Sequence, residues 1–177
     1  TLPGASQAGE LAAQSAASRD TASLLKNIPG VSLYGAGAVS SLPAIHGLAD
    51  DRLRIKVDGM DLIASCPNHM NPPLSYVDPS AVESLKVYAG ISPVSAGGDS
   101  IAGTIVARAK EPKFAAPGED LLFTGEAGAF YRSNGNAYGG NINATLANES
   151  FSLTYTGATA QSDNYTAGGN FKNYTST

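Results

Sequence analysis

A run of alternating residues that begins at Leu121 restricts this chain more than any other feature. Over residues 121–131 the odd positions include Leu121, Phe123, Ala127, Ala129 and Tyr131. Over residues 137–147 the even positions include Tyr138, Ile142, Ala144 and Leu146, with Asn141, Asn143 and Thr145 between them. Over residues 151–159, Phe151, Leu153 and Tyr155 alternate with Ser152, Thr154 and Thr156. A period of two marks strands with one apolar face. Strands of about 10 residues match the length of a tilted barrel strand crossing a bilayer. Residues 132–136 and Asn148-Glu149 read as turns, and Tyr131 and Tyr138 flank the first as interfacial aromatics do. From Leu121 onward the only charges are Glu126, Arg132, Glu149, Asp163 and Lys172. Three strands cannot close a barrel, and an open edge in lipid leaves backbone groups unpaired. A membrane wall therefore needs strands beyond these three. The edge of a soluble β-sandwich shows the same alternation and is the competing reading.

Composition excludes some functions. The net charge is −4 and charged residues make up 15% of the chain, against roughly 25% in soluble domains. With no basic run, nucleic acid is not an expected partner. No window offers the roughly 18 apolar residues that a membrane helix needs. No Ser/His/Asp set or carboxylate pair has the form of a catalytic site, so an enzyme is not expected.

Ahead of Lys110 the grammar is mixed. Residues 1–18 are rich in Ala, Gly, Ser and Gln and read as a flexible lead-in. Asp20 suits the N-cap of a short helix over residues 21–27, closed by Pro29-Gly30. In "DRLRIKVDGMDLI", Leu53, Ile55 and Val57 alternate with Arg54 and Lys56, and Asp58-Gly59 predicts a β-hairpin. Asp78 and Pro79 open a second predicted helix, which turns strand-like over residues 85–88. Residues 101–110 read as another strand. The fold class expected is an α+β domain over residues 19–112, followed by antiparallel barrel strands over residues 113–177.

The chain has one cysteine, in "CPNHM", residues 66–70. A lone thiol forms no intrachain disulfide, and its bland role is that of a small hydrophobe. If Cys66 caps a single helical turn with Pro67 at its first position, residues i and i+4 share a face. The sulfurs of Cys66 and Met70 then point the same way. A thiolate with a thioether favours copper, above all Cu(I), over zinc, magnesium or calcium. His69 is a further ligand or, as the preferred reading, turns away. Asp50, Asp51, Asp58 and Asp61 lack the spacing of a calcium loop and read as turn and solvent residues.

The order of motifs carries a family resemblance. "SLLKNIPGVSL" (residues 23–33), "LPAIHGLADDRLRIKVDGMDL" (42–62) and "VDPSAVESLKVYAGISPVSAGGDSIAGTIVARAKEP" (77–112) occur in sequence. Together they resemble the plug domain of TonB-dependent outer-membrane receptors, whose first barrel strands follow next. His46, Ala89 and Ala102 stand where that family often has Arg, Arg and Gly. No clear TonB box is legible near Thr1. "CPNHMNPP" resembles the copper-receptor branch, which implies that Cys66 and Met70 are plug-side ligands completed by barrel groups. The resemblance further implies the outer membrane of a Gram-negative bacterium as location. Its implied partners are a copper ion or copper complex, as Cu(I) or Cu(II), the TonB energy-coupling complex and outer-membrane lipid. The alternatives are a receptor for a siderophore or other metal chelate, with Cys66 incidental, and a soluble β-rich binding or adhesion module.

Overall fold

The computed structural model describes residues 4–5, 18, 20–36, 40–164 and 166–169. The predicted lead-in over residues 1–18 lies outside the described residues, apart from Ser18 and a two-residue strand, β1 (Gly4–Ala5).

The predicted first helix is one short 3-10 segment, Thr21–Leu25, and the N-cap is as expected: Asp20 Oδ1 accepts from Ala22 N–H at 3.1 Å. Its residues Thr21, Ala22, Leu24 and Leu25 are buried. A hairpin follows, β2 (Val31–Ala36) and β3 (Ser40–Ile45), paired antiparallel. The DG hairpin is β4 (Leu53–Val57) and β5 (Met60–Leu62). Asp58 and Gly59 have φ of 49° and 84°, both left-handed, as a two-residue turn matched to strand twist requires.

The second predicted helix is corrected. Asp78 does cap a turn, accepting from Ser80 N–H at 2.8 Å, but that turn is only Pro79–Ala81. β6 (Val82–Ala89) begins at once. A register shift between Val82 and Ser84 lets Val82 and Leu85, three positions apart, both face the core. β-branched Val82 and Val87 pack better on that pleated surface than in a helix. β7 (Gly103–Ala109) completes a five-stranded sheet of order β1-β6-β7-β4-β5. Among the described strand pairs only β4 and β7 run parallel.

One face of this sheet carries Leu53, Ile55, Val57, Leu85, Val87 and Ile105, which meet Leu24, Leu25, Ile45 and Leu74 in the core. Six of these, Leu24, Leu25, Ile45, Leu74, Leu85 and Ile105, are at most 1% exposed. The other face carries Arg54, Lys56, Lys86 and Arg108. Arg54 is held there by Asp61, with Nε to Oδ1 at 2.9 Å, and by donating to Gly97 O.

The alternating run forms a separate antiparallel sheet: β8 (Leu122–Arg132), β9 (Ala137–Ala147) and β10 (Ser152–Gln161). Eleven residues span about 36 Å along a strand, which at the usual barrel tilt crosses an apolar band of about 25 Å. The register puts Phe123, Leu146 and Leu153 in one row and Ala127, Ile142 and Gly157 in another. Most of this face is exposed. The opposite face aligns Thr124, Thr145 and Thr154, then Glu126, Asn143 and Thr156. The domain built on the five-stranded sheet lies against this polar face. Lys110 Nζ meets Glu126 Oε2 at 2.9 Å, and Asn143 Nδ2 donates to Ser80 O at 3.4 Å. At the foot of the wall Gly118 N–H donates to Glu149 Oε1 at 2.6 Å.

Candidate metal centre

Strand direction places Cys66. β4 and β7 run together, while β5 and β6 run against them. The chain leaves for the wall from Ala109, beside the Asp58-Gly59 turn, where Ala109 N–H donates to Asp58 Oδ1. The segment after Leu62 therefore emerges at the opposite end of the sheet, with Gly90 and Gly103.

The expected helical turn at Cys66 is corrected to a β-turn. His69 N–H donates to Cys66 O at 3.0 Å, with Pro67 inside the turn. His69 then adopts φ of 49°, which ends any helical continuation. Cys66 and Met70 are nevertheless joined: Met70 N–H donates to Cys66 Sγ at 3.2 Å. Cys66 is partly exposed and Met70 is 62% exposed. The Cys66 thiol titrates below its usual value because the backbone N–H groups of Asn71 and then Met70 stabilise the thiolate. A partly exposed thiol whose ionised form is favoured by backbone amides, beside an exposed thioether, has the chemistry of a soft donor pair.

His69 has a carboxylate beside it. Its Nδ1 faces Asp50 Oδ1 at 3.7 Å, in the wall of a cavity of about 330 Å³. That cavity also takes in Asp51, Arg54, Asp61 and Asp99. Four carboxylates against one guanidinium make it acidic. Among the described residues no three His, Cys, Asp or Glu side chains converge to hold a metal ion.

Two residues absent from the sequence reading hold the loop. Ser40, 6% exposed, donates from Oγ to Met70 O at 3.3 Å. Tyr76 Oη lies 2.6 Å from Ser65 Oγ and 3.1 Å from Asn71 O. Neither falls in a periodic pattern, and Ser40 is 30 residues away from its partner, so no spacing rule would have found them. The acidic residues were visible, but their convergence depends on β4, β5 and the loops that meet there. His46, standing at the family's arginine position, is structural here: its N–H donates to Gly30 O at 2.9 Å, and its ring packs on Gly30.

The family model for the TonB-dependent receptor plug domain matches residues 5–104, more than half of the chain. The chain belongs to that family, whose members are outer-membrane receptors and not enzymes. This membership excludes a soluble adhesion module. Among solved structures the chain is similar to the copper transporter OprC, with 29% identity and a TM-score of 0.76, over 92% of this chain and 24% of that one. It is similar to the FrpB iron transporter from Neisseria meningitidis, with 24% identity and a TM-score of 0.65, over 88% and 23%. The siderophore receptor PirA from Pseudomonas aeruginosa shares the fold at 20% identity and a TM-score of 0.53, over 82% and 26%. No curated protein matches the chain significantly. The chain thus spans about a quarter of the length of these solved receptors.

Proposed function

We propose that this chain is the plug and first wall strands of a TonB-dependent transporter that takes up copper across the outer membrane. Cys66 and Met70 are its plug-side ligands, and copper is cargo, not a resident cofactor. The observation that carries the reading is the sulfur pair itself: Cys66 Sγ accepts from the N–H of Met70, four residues on, whose thioether is exposed. Such a pair suits Cu(I), and it also accepts Cu(II) when nitrogen or oxygen ligands join it. Those remaining ligands come from barrel groups beyond the described wall, and the ion is then held between plug and barrel.

The likeness to a copper transporter supports this reading, though the iron and siderophore receptors of the same fold leave the cargo open to test. Electrostatics help to separate the two. Ferric siderophores of the catecholate type are anionic, and Asp50, Asp51, Asp61 and Asp99 beside the loop disfavour them while drawing in a cation. The inner-membrane TonB complex is the energy source by family, and it acts on the plug from the side where the chain leaves for the wall.

The test is metal analysis of the full-length receptor. The wild type is expected to retain copper after exposure and desalting, and Cys66→Ser and Met70→Leu to lose most of it. If Cys66→Ser keeps a full complement of copper, the cargo assignment is wrong. Tight binding of a ferric siderophore by the same preparation would favour the other receptor class.

A further inference from the structure

The two ends of the Cys66 loop meet at one atom. Tyr76 Oη accepts from Ser65 N–H at 3.2 Å, lies 2.6 Å from Ser65 Oγ, and donates to Asn71 O at 3.1 Å. A phenol has one proton and two lone pairs. The Asn71 carbonyl can only accept, so it takes the proton. The Ser65 amide can only donate, and so the Ser65 hydroxyl must also donate. These three bonds use the whole capacity of the phenol. Ser65 precedes Cys66 and Asn71 follows Met70, so Tyr76 closes a ring around both sulfur residues.

The anchor is firm. Tyr76 ends the 3-10 segment Pro73–Tyr76, in which Pro73 and Leu74 are buried, Leu74 with no exposed surface. Pro72 and Pro73 stiffen its start, and Ser75 Oγ and Ser75 N–H both donate to Pro72 O. The ring of Tyr76 itself is 50% exposed, so little packing depends on it. Asn71 accepts the Tyr76 proton at its carbonyl, one residue after Met70, whose own N–H donates to Cys66 Sγ.

We propose that Tyr76 is a positioning residue for the metal loop: its hydroxyl holds Ser65 and Asn71 together and so sets how Cys66 and Met70 are presented to a soft cation. The proposal rests on the reading that these two residues bind copper. Hydrogen-bond partners behind metal ligands typically change affinity by 10–100-fold when removed. An indirect clasp belongs at the lower end of that range.

The test uses the full-length receptor in detergent, titrated with Cu(I) buffered by a chromophoric chelator. Tyr76→Phe is expected to weaken Cu(I) binding about tenfold at unchanged stoichiometry and unchanged Tm. The Cu(I)–thiolate charge-transfer absorption of the loaded receptor is expected to shift, because Cys66 and Met70 are presented differently. Ser65→Ala, which removes one bond of three, is expected to give a smaller loss in the same direction. It serves as the second variant if Tyr76→Phe assembles poorly. If both variants bind as wild type does, with the same charge-transfer absorption, while Cys66→Ser has lost copper, the clasp is overturned and the copper reading stands. If Cys66→Ser retains copper, both are overturned.

Discussion

The backbone N–H of Met70 donates to Cys66 Sγ at 3.2 Å, so the two sulfur residues are coupled before any ion arrives. With the amide of Asn71, this bond favours the thiolate and holds the thiol below its ordinary value of 9.0. A proton and copper compete for the same sulfur. Copper affinity is therefore expected to rise with pH, by about tenfold per unit, up to the folded pKa of Cys66 and to level off above it. Because that pKa is lowered, the plateau begins below pH 9.0. Competition titrations across pH check this. A plateau reached only above pH 9.0 would contradict the hydrogen-bonding pattern.

His69 occupies a left-handed conformation with φ of 49°, and its Nδ1 lies 3.7 Å from Asp50 Oδ1. Glycine adopts that conformation without cost. His69→Gly is expected to keep copper binding within about twofold and to leave Tm unchanged or slightly higher. A β-branched residue there, as in His69→Val, is expected to destabilise by about 1–2 kcal/mol. Loss of copper by His69→Gly would make the imidazole a ligand after all.

Gly103 opens β7 where it passes the end of β6. A Cβ at this position would lie 2.1 Å from Tyr88 O, and φ is 137°. Backbone must move to admit any side chain, since no flexible group can give way. Gly103→Ala is expected to cost more than about 3 kcal/mol, combining strain with disruption of the sheet. Thermal melts of the purified receptor, or loss of assembled protein from the membrane fraction, measure the effect.

The two faces of the wall respond differently to charge. Ile142 belongs to the apolar face and sits mid-strand, while its neighbour Asn141 points to the polar side. Ile142→Arg is expected to destabilise the folded barrel by about 2–4 kcal/mol, the cost of a lipid-facing arginine near the midplane. Asn141→Arg is expected to cost much less. Denaturant unfolding in liposomes compares them, and equal costs would mean that the apolar face is not in lipid.

What could be read beforehand divides along a physical line. Local chemistry was legible: the Asp20 and Asp78 caps, the Asp58-Gly59 turn and the alternation that fixes the faces of β8, β9 and β10 all depend on near neighbours. Helix length was not. The caps at Asp20 and Asp78 were real, but each starts only a short 3-10 segment, because burial against the sheet outweighs local propensity. At the site, Cys66 and Met70 stood out by residue type. The geometry joining them was misread, since the left-handed His69 breaks the turn where a helix was expected. Tyr76 and Ser40 were invisible because their meaning lies in one hydroxyl each, and hydroxyls leave no pattern.

The parallel pairing of β4 with β7 has a consequence for the order of assembly. Leu53 pairs with Gly103 and Val57 with Ala107, so β4 waits for a partner about 50 residues downstream. Non-local pairings of this kind fold slowly, because the intervening loop must be closed before the contact stabilises anything. During export β4 is available early, yet its β7 neighbour follows only after the whole loop, with the metal segment and β6, has crossed. β7 then runs within a dozen residues into the first wall strand. Completion of the plug sheet and the start of the wall thus fall at nearly the same moment of the chain's passage, so that the enclosing barrel has a finished occupant to close around.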